Sequence, residues 1–339
     1  MTAARRKSAI GILAALTVLA ATTACSNVND DNEILVYNAQ HEALTKQWVD
    51  AFTAETGIKV TLRNGGDTDL ADQLAAEGEK SPADVFLTEN SPAMATVEHA
   101  GLLADLDQAT LAQVPEQYRP STGKWTGTAA NSTVFVYNSG KLPADQVPAS
   151  LLDLQQPQWK GRWTAATSGA DFQAVVAGLL ASQGEDVTRA WLRGLKTDTV
   201  ASPNSVESMK KVDRGQVEGG LIAHYYWYRD QAGTKENSGN TALHYFRNGD
   251  PGAFVSISGG GVLRSSKKSE AAQRFVRFVT GRTGQQVLQR STSMEYPVAA
   301  DVPANPALPP LDSLQAPRID PSKLDAKKIT QLMTDADLL

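Results

Sequence analysis

The hydropathy pattern between residues 34 and 87 changes period again and again, and that alternation constrains the fold more than any other feature. Ile34-Leu35-Val36-Tyr37 is a short apolar run of the kind a buried strand makes. Over residues 42–55 the apolar positions instead recur at helical spacing, with Leu44, Trp48 and Phe52 on one face, Val49 beside them, and Gly57 as the stop. Ile58-Lys59-Val60-Thr61-Leu62 alternates as a second strand, residues 69–77 read as a second helix, and Asp84-Val85-Phe86-Leu87 reads as a third strand. Strands and helices alternating at this spacing build βαβ units around a mostly parallel sheet, so the class is α/β.

The same reading extends along the chain. Val134-Phe135-Val136-Tyr137 is another strand, and helices are expected over residues 172–182, 187–195 and 206–214. Leu221-Ile222-Ala223 and Phe254-Val255-Ser256-Ile257 look like short buried strands. A helix over residues 270–279 presents Ala272, Phe275, Val276 and Val279 on one face. Seven of the sixteen prolines fall between Pro297 and Pro321, which makes that stretch an extended, surface-crossing segment. A last amphipathic helix carries Leu324, Leu332 and Met333. With 339 residues and no repeat or low-complexity block, two α/β lobes without a flexible linker are expected.

The first 24 residues stand apart. Arg5, Arg6 and Lys7 precede the apolar run Ala9-Ile10-Gly11-Ile12-Leu13-Ala14-Ala15-Leu16, and small residues lead to Cys25, the only cysteine. A basic start, an apolar middle and a small-residue exit make a secretory signal over residues 1–24. The apolar stretch is shorter than the roughly 20 residues that span a bilayer. A cysteine just past the cleavage point suggests an acylated lipoprotein. It resembles the lipobox, with Ala24 in place and Thr22 where a leucine is usual. The reading is of a protein anchored through Cys25 on the outer side of the cytoplasmic membrane, with residues 25–32 as the tether. A single cysteine also excludes an internal disulfide, a CxxC redox pair and a thiolate zinc site.

Charge narrows the class further. The full chain is formally −5; without residues 1–24, which hold three basic and no acidic side chains, 29 basic face 37 acidic groups, a net −8. An acidic, aromatic-poor chain does not suit a nucleic-acid backbone and favours cations.

In open α/β sheets ligands bind beyond the carboxyl ends of strands, so the residues after each strand carry the functional reading. They are Asn38-Ala39-Gln40-His41-Glu42, Thr88-Glu89-Asn90 and His224-Tyr225-Tyr226-Trp227-Tyr228, with Thr167-Ser168-Gly169-Ala170 at a helix start. Each alone has a bland role: a capping histidine, a first-turn carboxylate, packed aromatics, an ordinary turn. Together they suit ferric iron, which is hard and triply charged and prefers anionic oxygen. One glutamate and two tyrosinates match its three charges, and a neutral histidine adds a nitrogen. Two octahedral positions are left for water or a small anion held at the helix start. Zinc and calcium fit this donor set less well. Neighbouring tyrosines reach one ion only if the backbone leaves the extended form at that point.

These residues also carry a resemblance. Val36-Tyr37-Asn38-Ala39-Gln40-His41-Glu42, the segment from Ser81-Pro82-Ala83-Asp84-Val85-Phe86 to Glu89, Tyr225-Tyr226-Trp227, Asp250-Pro251-Gly252-Ala253 and residues 165–170 resemble the bacterial periplasmic ferric-ion-binding proteins. Those are the substrate-binding subunits of iron ABC importers, with the two-lobed type II periplasmic-binding-protein fold. The resemblance implies that His41, Glu89, Tyr225 and Tyr226 ligate iron. It places Asn90, Ser168, Gly169, Ala170 and Asn204 where a synergistic anion such as phosphate or carbonate is held, with a departure at Ala223, where an asparagine is common. It further implies a monomer that delivers iron to a membrane permease with its ATPase. The lobes would be residues 33–132 with 256–306, and 133–255 with 307–339, hinged on strands near Val134 and Val255. A receptor for a small organic solute such as a polyamine, thiamine or a sugar acid would use the same cleft, with the tyrosines stacking. A secreted hydrolase is the weaker rival, resting on two chance-length S-x-x-K runs, Ser208 to Lys211 and Ser265 to Lys268, with no H-E-x-x-H and no nucleophile elbow.

Overall fold

In the computed structural model residues 33–339 are described; the signal, Cys25 and the tether lie outside the described residues. The chain opens as the alternation requires: β1 (Glu33–Asn38), α1 (Glu42–Thr56), β2 (Lys59–Asn64), α2 (Asp67–Glu77), β3 (Val85–Leu87), α3 (Ser91–His99), the short α4 (Gln108–Leu111) and a long β4 (Trp125–Asn138). A second half follows with β5 (Trp163–Ala165), α5 (Ala170–Gln183), α6 (Glu185–Asp198), β6 (Thr199–Ala201), α7 (Ser205–Asp213), β7 (Gly219–Ala223), α8 (His224–Ala232) and β8 (Thr241–His244). The chain then returns through β9 (Val255–Val262), α9 (Ser269–Thr280), α10 (Arg282–Arg290) and finally α11 (Ala326–Asp335).

Helix α1 illustrates why these elements form. Its apolar stripe Leu44, Trp48 and Phe52 is fully buried, and Gly57, at φ +72°, turns the chain and donates its N–H back to the Thr53 carbonyl. The Phe52 ring meets Phe275 and Phe278 edge-on at 5.1 and 5.5 Å, and the Trp48 indole N–H donates to the Gly284 carbonyl at 2.8 Å. Burying each such side chain contributes about 1.5–3 kcal/mol, which clamps the returning helices α9 and α10 onto the first half.

Among the described residues the strands form one sheet in the order β2-β1-β3-β9-β4-β7-β5-β6, with β8 also paired to β4. The expected parallel pairing holds for the outer strands, β1 with β2 and β3, and β5 with β6 and β7. The middle runs antiparallel, because β9 lies against β3 and β4, and β4 lies against β7 and β8. Strand β4 changes neighbours along its length. Residues from Trp125 to Ser132 pair with β9, and those from Thr133 to Asn138 pair with β7 and β8. It is therefore the strand by which the chain crosses from one half of the sheet to the other, at the position next to Val134.

Each half has its own core. Phe86, Met94, Trp125 and Tyr296 pack in the first; Phe135, Trp163, Trp191 and Leu221 pack in the second. The proline-rich segment bridges them, with Leu308 and Leu314 in the first core and Leu324, Ile329, Leu332 and Met333 in the second. Leu324 precedes α11, which begins at Ala326. No helix among the described residues is long and apolar enough to cross a membrane.

Candidate metal centre

The fold brings the ends of β1, β3 and β7 to one cleft. His41 caps α1 directly after β1, and Glu89 lies in the turn between β3 and α3. That turn is pinned by the buried Asp67, whose two carboxylate oxygens accept the N–H groups of Glu89 and Asn90, each at 2.9 Å. Strand β7 ends at Ala223 and α8 begins at His224, so Tyr225 and Tyr226 fall in the first turn of a helix. This is the departure from extended backbone that two neighbouring tyrosines need to share a target. Their rings lie 4.4 Å apart, tilted by 38°.

His224 holds this turn in place. It is fully buried, its Nδ1 accepts the Ser132 N–H at 3.2 Å, and its ring stacks on Tyr296 of the first half at 4.7 Å. Burial pushes its pKa down to about 3, so it is a neutral anchor.

The four candidate ligands converge from both halves. His41 Nε2 lies 3.7 Å from Glu89 Oε1, and its ring meets Tyr225 edge-on at 4.9 Å. The Tyr225 hydroxyl donates to Glu89 Oε1. Burial, with the carboxylates of Asp171 and Glu89 nearby, raises the Tyr225 pKa well above that of a free phenol; Tyr226 is raised mainly by burial and then by Asp171. Burial also raises Glu89, with His41 opposing and Glu295 adding to the rise. Among the described residues no three His, Cys, Asp or Glu side chains form a metal-holding group by themselves. The convergence becomes a candidate metal site only when the two phenol oxygens are counted with His41 and Glu89. Three oxygen donors that become anionic on losing a proton, plus one imidazole, suit a hard trivalent cation.

The anion candidates divide. Asn90 is buried and donates its amide to Asp171 Oδ1 at 3.3 Å. It lines a cavity of about 20 Å³ with Asp171, Ser205 and Ala223, room for roughly one water. Ser168, Gly169, Ala170 and Asn204 do not line that cavity. Ser168 is exposed, Gly169 and Ala170 open α5, and the exposed Asn204 uses its side-chain oxygen to accept the Glu207 N–H as the cap of α7.

Two acids emerge that sequence reasoning missed. Asp171, in the first turn of α5, places its carboxylate 3.3 and 3.4 Å from the Tyr225 hydroxyl and 3.4 Å from Ser205 Oγ. Burial, then the charge of Glu89, raises its pKa to about 7. An acid right after Ser168-Gly169-Ala170, at a helix N-terminus, was a readable signal. Glu295, fully buried with Oε2 4.0 Å from His41 Nε2, had none, since only the fold brings it there.

Neither S-x-x-K run forms a serine–lysine pair. Lys211 Nζ donates to the Ala201 carbonyl, Ser265 Oγ to the Ser81 carbonyl and Lys268 Nζ to the Glu33 carbonyl.

Residues 80–322 match the family described as bacterial extracellular solute-binding protein. The chain is 57% identical over 309 residues to the Fe(3+)-binding periplasmic protein of Serratia marcescens, covering 91% of each chain. It is 35% identical to the major ferric iron-binding protein of Neisseria meningitidis serogroup B, covering 90% of this chain and 93% of that one. The structure of iron-bound HitA from Pseudomonas aeruginosa superposes with a TM-score of 0.83 at 39% identity, over 90% of this chain and 99% of that one. The two-lobed architecture is thus the type II periplasmic-binding-protein fold, and the family is one of solute binding rather than catalysis. By sequence match and by fold, the chain belongs to the bacterial extracellular solute-binding proteins.

Proposed function

We propose that this protein binds ferric iron between its lobes and delivers it to an ABC permease driven by its ATPase. The observation that carries this reading is the meeting of His41 and Glu89 from one half with Tyr225 and Tyr226 from the other. Relatives named for ferric binding support it. His41 supplies a neutral nitrogen, Glu89 a carboxylate, and each tyrosine a phenolate once its proton is displaced. Asn90 and the carboxylate of Asp171 occupy the anion side of the site. We therefore assign Asp171 the part that a free phosphate or carbonate would otherwise play, which suits the alanine, rather than an asparagine, at position 223.

The expected lobes are residues 33–132 with 256–306 and 133–255 with 307–339; we extend the first through Leu314, because Leu308 and Leu314 pack in its core. The core memberships support placing the final crossover between Leu314 and Leu324. The protein acts as a monomer tethered through Cys25 on the outer side of the cytoplasmic membrane.

The test is titration of the mature protein with ferric citrate, followed at visible wavelengths. Direct tyrosinate ligation gives a charge-transfer band, and Tyr226→Phe should weaken both the band and the affinity severely. A wild type that stays colourless refutes the reading and favours an organic solute; full ferric affinity in Tyr226→Phe refutes the ligand assignment.

A further inference from the structure

Glu295 is a buried acid that the four-ligand reading leaves unused. It is 0% exposed, in the loop that follows α10. Its Oε1 accepts the Gln40 amide at 3.1 Å and lies 3.2 Å from Ser258 Oγ, while its Oε2 has no partner among the described residues. That free oxygen is 4.0 Å from His41 Nε2, a buried nitrogen likewise without a hydrogen bond. A carboxylate oxygen kept from water and given nothing to accept is costly unless a cation stands before it.

The surroundings over-determine this placement. Met294, just before Glu295, sits at φ +58°, a left-handed conformation that non-glycine residues rarely adopt, and Tyr296, just after it, is locked to Ala130 of β4 by two backbone hydrogen bonds. Gln40 joins Glu295 to the His41 loop, because its side-chain oxygen accepts the His41 N–H at 2.6 Å while its amide donates to Glu295. Ser258 stands nearer still to the Glu89 carbonyl, at 2.9 Å. One buried carboxylate thus backs both metal-binding loops of the first lobe.

We propose that Glu295 is a positioning residue of the metal site, whose charge stands beside His41 Nε2 and strengthens ferric binding without direct ligation. The inference rests on the ferric reading of the cleft. Outer carboxylates of this kind change metal affinity about 10- to 100-fold when removed.

The test is Glu295→Gln, an isostere that keeps an acceptor oxygen for Gln40 and Ser258 and removes only the charge. Ferric affinity, measured by citrate competition on the charge-transfer band, should fall about 10- to 100-fold. The melting temperature of the metal-free protein should stay the same or rise. Glu295→Asp, which keeps the charge, should lose less affinity than Glu295→Gln. Affinity within about twofold of wild type, by the same measure of outer-carboxylate effects, overturns the inference. So does a metal-free protein that melts several degrees lower or fails to fold, which makes Glu295 a brace of the loop, and so does an equal loss in Glu295→Asp. A wild type with no charge-transfer band defeats the ferric reading itself, a result distinct from any of these.

Discussion

If Asp171 stands in for an exchangeable anion, Asp171→Asn should turn an anion-independent receptor into an anion-dependent one. The amide is nearly isosteric but keeps one acceptor oxygen, and Asn90 and Ser205 donate to different carboxylate oxygens, so the change removes the charge and one of these hydrogen bonds. The wild-type carboxylate lies 3.3 Å from the Tyr225 oxygen, within reach of whatever that oxygen binds. A unit charge about 4 Å from a cation contributes about 4 kcal/mol per cation charge at an effective dielectric near 20. Desolvation of the carboxylate offsets much of the gain for a trivalent ion. A net loss of about 2–4 kcal/mol is expected, roughly a thirty- to thousandfold weaker ferric affinity without added anion.

The assay is ferric titration under citrate competition, at neutral pH, with and without phosphate. The wild type should respond little to phosphate, since the Asp171 carboxylate beside the Tyr225 hydroxyl repels a second anion there. The variant should recover much of its affinity when phosphate enters beside Asn90. A wild type whose affinity climbs steeply with phosphate, or a variant indifferent to it, refutes the assignment.

Ferric binding should release about two protons at pH 7, one from each phenol, because both tyrosine pKa values are raised and each proton must be displaced; calorimetry in buffers of different ionisation enthalpy counts them, and a release below one excludes double phenolate ligation. Asp171, at about 7 in the folded protein against about 3.9 unfolded, binds more protons when folded. Its stabilising contribution is therefore complete below pH 4 and is lost as pH rises through 7. The metal-free protein should lose up to a few kcal/mol over that window, and Asp171→Asn should flatten the slope; an unchanged slope in thermal melts shows that Asp171 does not titrate this way. Gly219→Ala would put a Cβ 2.1 Å from the Phe135 ring, on the strand that leads to the tyrosines. A loss of about 1–3 kcal/mol is expected, read from denaturant unfolding, and a neutral result means that the ring moves aside freely.

The legible parts of this molecule were those written locally. The stripe of Leu44, Trp48 and Phe52 announced α1, and the short apolar runs announced β1, β3 and β7. His41, Glu89 and the tyrosines were found because they follow strands, a rule of topology that works one element at a time. What stayed hidden was non-local. The first half of β4, from Trp125 to Ser132, alternates weakly because both its faces are buried, so it carries no period-2 signal. The antiparallel middle of the sheet depends on which strand returns beside which, and no residue records that. Glu295 reaches His41 across 254 positions in sequence, through a loop whose composition reads as ordinary. Asn204 has a local role that its sequence context did not announce: its side-chain oxygen caps α7 by accepting the Glu207 N–H.

On the proposed ferric reading, the division of donors between the halves implies an order of loading. Tyr225, Tyr226 and Asp171 lie on the second half, so two phenols and a carboxylate meet an incoming cation there before the cleft closes. The first half contributes one carboxylate, Glu89, and one imidazole. A ligand drives closure only as far as it prefers the closed form, and that preference has to come from His41 and Glu89, the donors that arrive on closing, with the charge of Glu295 beside them. The Tyr225–Glu89 hydrogen bond sharpens this, because it spans the halves through oxygens that an ion needs, so proton and ion compete for one place. His41→Ala should therefore keep a tyrosinate charge-transfer band while losing affinity, and small-angle scattering should find the iron-loaded variant more open than the loaded wild type. Tyr225→Phe should lose the band's intensity and the first landing site together. A His41→Ala protein that is colourless with ferric citrate, or that closes as fully as wild type, places the initial capture on the other lobe and reverses the order.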